Sequence, residues 1–167
     1  YIQVEYKLPE RSATRNPFGR SMLEDMFFDF WFGTPNTQAP VSQGSGVIIS
    51  ADGEILTNAH VVEAGWKHLA RTPGRAQPLQ LEPVYVDRDN DIAILLTAER
   101  IPGLAISEKA PEQGDAVSTV GFPGMDDTVG YKESRGAVTN ICYGAPCYIL
   151  HSAAIASGNS GGPLLEG

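Results

Sequence analysis

The chain has 167 residues, of which 42% are hydrophobic and 19% charged, so it is long enough to bury a core and is not intrinsically disordered. Its net charge of −8 argues against a surface for nucleic acids or anionic membranes, and it contains no apolar run of about eighteen residues that could cross a membrane. Eighteen glycines and twelve prolines favour many short strands joined by turns over long helices.

The first predicted elements are a strand and a long insertion. Residues 2–8 alternate between apolar and polar, which predicts a half-buried strand. Residues 9–40 then form an insertion whose middle carries apolar side chains at three-to-four spacing, as is typical of a short amphipathic helix. This apolar stripe either packs on the protein's own core or contacts a partner. Its residues are Met22, Leu23, Met26, Phe27, Phe30 and Trp31.

The remaining predicted elements are all strands. The Asp52-Gly53 dipeptide lies between two apolar runs and indicates a hairpin turn. Short strands with turn signals between them are typical of a barrel or a sandwich, and a polar connection near residues 98–113 divides two halves. The predicted strands are 46–50, 54–57, 79–86, 91–96, 116–121, 136–141 and 148–151.

Three histidines are candidates for acid–base chemistry. His68 lies beside Lys67 in what we interpret as a polar, solvated loop, and His151 ends a predicted strand. His60 follows another strand, and Asp91 opens an apolar run. A carboxylate at the edge of a buried strand is costly unless it is paired or hydrogen-bonded. We therefore expect His60 to pair with Asp91.

Ser160 lies in the glycine-rich stretch Gly158-Asn159-Ser160-Gly161-Gly162. A serine becomes nucleophilic when a neighbouring base takes its proton, and that base needs a carboxylate to orient it. The glycines allow backbone N–H groups to converge on the position of a tetrahedral oxyanion. The stretch also matches the nucleophile elbow of α/β-hydrolases, but that fold requires a histidine after the serine and none follows here.

Two cysteines, Cys142 and Cys147, bracket a turn-rich tetrapeptide between two predicted strands. No further Cys or His stands at ligand spacing, which argues against a structural zinc site. The pair is either two buried thiols or a disulfide that clamps a hairpin. The disulfide would place the chain in an oxidising compartment.

The order His60, Asp91, Ser160 is that of the chymotrypsin-like serine proteases. The segments around these residues resemble the HtrA/Deg branch of that superfamily, as do three further segments. The six segments are 45–49, 56–62, 90–95, 120–123, 135–139 and 158–164. Two positions depart from the branch's usual pattern: Ser152 stands where an acid is common, and Ala156-Ser157 replaces Asn-Pro.

The resemblance implies an all-β fold of two antiparallel β-barrels. The first barrel would span residues 1–105, with the insertion at 9–40. The second would span 106–167 and would be incomplete, because this fold needs further strands after the nucleophile. The PDZ domains that often follow in this branch are absent from the chain.

The resemblance also implies a serine endopeptidase that hydrolyses unfolded or misfolded proteins without a metal or cofactor. His60 would act as general base and then acid, Asp91 would orient it, and Ser160 would attack the scissile carbonyl. The backbone N–H groups of Gly158, Asn159 and Ser160 would form the oxyanion hole. The alternative is a catalytically inactive protease-like module with a binding or chaperone role.

The specificity pocket is expected at Ala154 and Ile155. Trypsin-like enzymes carry Asp at the first of these positions, so its replacement by Ala predicts cleavage after small or medium apolar residues rather than Lys or Arg.

The family's partners and compartments lead to two further expectations. One is a trimer-based homo-oligomer formed through the N-terminal aromatic segment, which contains Phe18, Phe27, Phe28, Phe30 and Trp31. The other is a location in the periplasm or cell envelope, with an organelle lumen as the alternative.

Overall fold

The computed structural model describes residues 2–5, 41–62, 67–122, 130–143 and 147–167. These residues form antiparallel strands and one short helix, which confirms an all-β fold. No helix among them has the length and apolar character needed to cross a membrane. The strands are β1 (Ile2–Glu5), β2 (Val41–Gly44), β3 (Val47–Ile48), β4 (Glu54–Thr57), β5 (Lys67–Ala70), β6 (Leu79–Asp87), β7 (Ile92–Leu96), β8 (Ala116–Gly121), β9 (Lys132–Tyr143), β10 (Tyr148–His151) and β11 (Leu164–Glu166), and helix α1 is Ala59–Val62.

The first sheet contains seven strands in the order β2-β1-β5-β6-β7-β4-β3. Alternate residues of β4 and β7 face inward, so Ile55 and Leu95, which pair across these strands, are both buried. Helix α1 adds Val61 and Val62 to the same core. Burial of each such side chain contributes about 1.5–3 kcal/mol, and this packing fixes the helix that carries His60.

The second sheet contains four strands in the order β10-β9-β8-β11. The long strand β9 pairs with β8 from Ala137 opposite Ala116 to Lys132 opposite Gly121. Its other edge pairs with β10 in an irregular register. This sheet supplies the segment that leads from β10 to Ser160, whereas His60 lies in helix α1 after β4 and Asp91 immediately precedes β7, both strands of the first sheet.

The predicted hairpin at Asp52-Gly53 is confirmed: it joins β3 to β4, and Gly53 has a φ of 89°. The strand predicted at 2–8 is confirmed over Ile2–Glu5, and the other predicted strands are present. Strands β4, β8 and β10 have the predicted ends, whereas the ends of β3, β6, β7 and β9 are shifted. Three strands were not predicted, namely β2, β5 and β11. The amphipathic helix and the aromatic segment expected within 9–40 lie outside the described residues.

The prediction of a solvated loop at His68 is wrong. His68 is 6% exposed and belongs to β5, which pairs with both β1 and β6. Its Nε2 lies 3.1 Å from the carbonyl oxygen of Val62. The neighbouring Lys67 suggested exposure, but β5 is an inner strand of the first sheet and the His68 side chain is buried there.

Candidate active site

His60 and Asp91 are joined by two contacts. The His60 ring Nδ1 lies 2.7 Å from Asp91 Oδ2, and the His60 backbone N–H donates to Asp91 Oδ1 at 2.9 Å. A carboxylate beside Nδ1 favours the tautomer that carries its proton there, which leaves Nε2 as the ring nitrogen able to accept one. Among the described residues no hydrogen bond engages Nε2, and the His60 side chain is 54% exposed.

The Asp91 backbone adopts an unusual conformation at this contact. Its φ is 55°, in the left-handed region that non-glycine residues rarely enter and that Asp tolerates better than most. Asn58 Nδ2 donates to the Asp91 carbonyl oxygen at 2.8 Å and fixes the backbone there. Such strain persists only where surrounding contacts over-determine it, and it clusters at functional sites.

A second carboxylate orders the turn that precedes Asp91. Asp87 accepts hydrogen bonds from the backbone N–H groups of Asp89 and Asn90, both at 3.0 Å, and from Asn90 Nδ2 at 2.8 Å. The Asn90 side chain, followed by its backbone N–H, lowers the pKa of Asp87 below its usual value. The turn therefore holds its shape best when Asp87 is ionised.

Ser160 lies in a turn whose shape depends on glycine. Gly158 and Gly161 have φ values of 96° and 80°, where L side chains are strained. The Asn159 N–H donates to the Ala156 carbonyl oxygen at 3.0 Å, and the Gly162 N–H donates to the Asn159 carbonyl oxygen at 2.8 Å. Two successive turns thus present Ser160 at an exposed position.

The turn docks on the strand that leads to His60. A Cβ at Gly161 would lie 2.1 Å from Thr57 Oγ1 and 3.0 Å from the Asn58 nitrogen, so no side chain fits there. The Ser160 carbonyl oxygen accepts a hydrogen bond from the Ser45 N–H at 2.7 Å. These contacts place the nucleophile candidate beside the end of β4, where the His60 segment begins.

The structure brings together the three predicted catalytic residues to different degrees. His60 and Asp91 are hydrogen-bonded to each other, and Ser160 is held near them by the Ser45 N–H and by the packing of Gly161 against Thr57 at the end of β4. Between the described side chains of Ser160 and His60 there is no hydrogen bond. Catalytic hydrogen bonds are often long in unliganded sites and shorten when substrate binds.

The expectation for Asn159 needs correction. Its N–H donates to the Ala156 carbonyl oxygen and so is not free to bind an oxyanion in this geometry. The N–H groups of Gly158 and Ser160 make no hydrogen bond to any residue that the structure describes. The candidate oxyanion donors are therefore the N–H groups of Gly158 and Ser160.

Hydrogen bonds to its backbone hold the segment that was expected to form the specificity pocket. The Ala154 N–H donates to Ser134 Oγ at 2.8 Å, and its carbonyl oxygen accepts from Thr119 Oγ1 at 3.1 Å. Ser152, which replaces the acid common in the HtrA branch, accepts from the Ala137 N–H at 3.0 Å. The side chains of Ala154 and Ile155 are exposed, and the described residues do not enclose them in a pocket.

Of the two alternatives for the cysteines, the structure has the disulfide. It joins Cys142 near the end of β9 to Cys147 just before β10, with the two Cα atoms 4.7 Å apart. The bridge closes the hairpin from which the chain continues to Ser160.

Comparisons with known proteins define the class of this domain. A family model described as a trypsin-like peptidase domain matches residues 44–167. The chain belongs to this family.

The similarity extends to particular members of the family. The chain is 34% identical over 170 residues to a probable periplasmic serine endoprotease, DegP-like, of Chlamydia trachomatis, covering 94% of this chain and 33% of that protein. It is 37% identical over 170 residues to a putative serine protease, HhoB, of Synechocystis, covering 94% of this chain and 40% of that one. The chain thus spans about a third of the length of such relatives.

A solved structure agrees with these matches. The chain superposes on a serine endoprotease from Yersinia pestis with a TM-score of 0.67 and 25% identity, covering 99% of this chain and 48% of that one. The chymotrypsin-like fold and the resemblance to the HtrA/Deg branch are confirmed.

Proposed function

We propose that this chain carries the catalytic residues of a serine endopeptidase. The observation that carries the proposal is the His60–Asp91 pair, in which the ring binds the carboxylate through Nδ1 at 2.7 Å and Nε2 is left free of described partners. Ser160 lies in a glycine-shaped turn that docks against the strand leading to this pair. Together with membership of the trypsin-like peptidase family, this arrangement supports acyl transfer.

The proposed reaction follows from the positions of the three residues. His60 Nε2 takes the proton of the Ser160 hydroxyl as its oxygen attacks the scissile carbonyl, and Asp91 stabilises the imidazolium. The N–H groups of Gly158 and Ser160 bind the resulting oxyanion. His60 then gives its proton to the leaving amine, and a water molecule, activated in the same way, hydrolyses the acyl-enzyme.

The substrates we propose are unfolded or misfolded polypeptides in the periplasm or cell envelope. The relatives named as periplasmic endoproteases support the compartment, and a disulfide is compatible with an oxidising one. An extended chain fits a site whose histidine is half exposed. Homo-oligomerisation through the aromatic segment remains a proposal from the family resemblance.

The test uses the full-length protein, unfolded casein and a fluorophosphonate probe that labels activated serines. We expect casein hydrolysis and labelling by the wild type, and loss of both in Ser160→Ala, on the order of a million-fold in turnover. Ser157→Ala is the matched control, because it removes an exposed hydroxyl three positions earlier in the same segment. Labelling that persists in Ser160→Ala contradicts the proposal and assigns the activated serine to another position. A wild type that neither labels nor hydrolyses contradicts it as well and favours the inactive chaperone module.

A further inference from the structure

Ser45 is a buried residue that connects the two sheets through hydrogen bonds. It is 1% exposed and lies in the short link between β2 and β3. Its N–H donates to the Ser160 carbonyl oxygen at 2.7 Å, and its carbonyl oxygen accepts from Thr57 Oγ1 at 2.7 Å. Its hydroxyl donates to the Gly158 carbonyl oxygen at 2.6 Å and accepts from the Phe122 N–H at 3.0 Å. Ser45 therefore hydrogen-bonds to three segments. These are the end of β4, which leads to His60, the turn at residues 156–162 that carries Ser160 (the nucleophile turn), and the residue that follows β8.

The hydroxyl contact fixes one peptide plane of the nucleophile turn. The Gly158 carbonyl and the Asn159 N–H belong to the same planar peptide unit. Ser45 holds the carbonyl side of this unit, and the Ala156 carbonyl oxygen holds the N–H side. Gly158 has no side chain to restrict its rotation, so these two bonds determine how the plane is turned.

The neighbouring planes carry the candidate oxyanion donors. The Gly158 N–H lies in the peptide unit before the fixed one, and the Ser160 N–H lies in the unit after it. The central unit is joined to these two units at the Gly158 and Asn159 Cα atoms, so a rotation of its plane that is not compensated by the torsions at these atoms would move both donors. Because oxyanion binding depends on the position of its donors, such a rotation would weaken it.

We propose that the Ser45 hydroxyl is a positioning group for the oxyanion site: it sets the Gly158–Asn159 peptide plane and so aligns the N–H groups of Gly158 and Ser160. The inference rests on the proposed serine endopeptidase function. Ser45 contacts neither the substrate nor the reacting atoms and acts through the turn.

The backbone contacts of Ser45 allow the role of its hydroxyl to be tested separately. A Cβ at Gly161 would lie 2.3 Å from the Ser45 carbonyl oxygen, and one at Gly162 would lie 3.2 Å from the Ser45 Cβ. The turn thus packs on atoms that Ser45→Ala retains. The variant removes the hydroxyl and leaves the Ser45–Ser160 backbone bond in place.

The experiment compares Ser45→Ala with Ser118→Ala in the full-length protein. Ser118 is a matched control because it is 8% exposed and its hydroxyl bonds to Glu133, away from the turn. Two inhibitors share one peptide sequence: a boronic acid that forms a tetrahedral adduct with Ser160, and an amide that only occupies the site. For Ser45→Ala we expect kcat and boronate affinity to fall about 10- to 100-fold, with KM and amide affinity within about twofold. Ser118→Ala should change none of these by more than about twofold.

Hydrogen exchange of residues 156–162 gives a readout that needs no catalysis. Exchange should be faster in Ser45→Ala than in the wild type and unchanged in Ser118→Ala. Ser45→Cys, which fills similar space with a weaker donor and acceptor, should show the same losses in smaller measure and serves if the alanine variant does not fold. Unchanged exchange, or equal losses of boronate and amide affinity, overturns the inference. An inactive wild type contradicts the proposed function, and the exchange comparison then still decides the role of Ser45.

Discussion

His60 binds both oxygens of the Asp91 carboxylate, one through its ring Nδ1 at 2.7 Å and the other through its own backbone nitrogen at 2.9 Å. Because both donors belong to one residue, the carboxylate cannot rotate without losing one of the two bonds. The ring is thereby oriented with respect to its own backbone, and the backbone is anchored by the buried Val61 and Val62.

Asp91→Asn should lower turnover about 10⁴-fold while leaving the fold intact, because an amide at this position favours the wrong histidine tautomer. Asp89→Asn makes the same chemical change two residues earlier, at an exposed position, and should leave activity unchanged. Turnover of a fluorogenic peptide and the melting temperature report the two properties. Equal losses in both variants would show that net charge, rather than the His60 contact, is responsible.

Asp87 should remain ionised to lower pH than an ordinary aspartate. The Asn90 side chain lowers its folded-state pKa below the usual 3.8, so its contribution to the turn is full above that value. The contribution is lost as the pH falls through the lowered pKa. The Asn90 side-chain amide resonance should therefore titrate with a midpoint below 3.8. In Asp87→Ala this titration should vanish, and its persistence would assign it to another group.

Gly161→Ala should be more harmful than Gly74→Ala, although both glycines have a φ of 80°. A Cβ at Gly74 meets nothing within 4 Å, so that variant reports only backbone strain of about 1–2 kcal/mol. At Gly161 the Cβ overlaps Thr57 Oγ1, which adds about 1–3 kcal/mol and displaces Ser160. Denaturant unfolding and turnover measure the two effects, and equal destabilisation would contradict the docking of the turn.

Reduction of the Cys142–Cys147 disulfide should lower turnover several-fold and barely change the melting temperature. The bridge spans five positions, so its entropic contribution is below the roughly 3 kcal/mol of a fifteen-residue loop. The bridge holds the β9–β10 hairpin. After β10 the Ser152 N–H donates a hydrogen bond to the Ala137 carbonyl oxygen, and the chain then continues to Ser160. The Cys142→Ser, Cys147→Ser variant is the control and should have low activity that does not respond to reductant. Full activity in that variant would show that the two cysteines contribute to packing only and not to turnover.

Cleavage should follow Val, Ala or Leu rather than Lys or Arg. Ala154 offers no carboxylate to pair with a basic side chain, and burial of an unpaired cation is costly. Two fluorogenic peptides that differ only in Val or Lys at the cleaved position test this through kcat/KM. A preference for Lys would contradict this prediction and would indicate that an acidic residue from another segment lines the pocket.

The sequence was sufficient to predict the His60–Asp91 contact and insufficient to predict how Ser160 is held. A carboxylate at the edge of an apolar strand needs a partner, and few histidines were available to provide it. Ser45 was not predicted as a functional residue, because its hydroxyl binds Gly158 across 113 positions of sequence. Its local signals were its placement between Gly44 and Gly46, ahead of an apolar strand, and its position in segment 45–49, which resembles the HtrA/Deg branch without assigning the serine a role.

The errors in the strand assignment have a similar physical origin. Strand β5 begins at Lys67, and its inner position between β1 and β6 is not revealed by local periodicity. The sequence also predicted the Asn159 N–H as an oxyanion donor. Its hydrogen bond to the Ala156 carbonyl oxygen could not be foreseen, because it depends on backbone torsions that the neighbouring glycine leaves open. Both features are set by contacts beyond the local sequence pattern.

The division of the site between two sheets has a consequence for the newly made protein. The base and its carboxylate follow β4 and precede β7 of the first sheet, respectively, and the nucleophile turn is held beside them by its contacts with Ser45 and with the end of β4. Chains are synthesised from the N-terminus, so the first sheet is complete before the nucleophile turn exists. For the proposed endopeptidase, a nascent or half-folded copy would therefore lack an assembled site, and we expect no cleavage of neighbouring chains before the two sheets have docked.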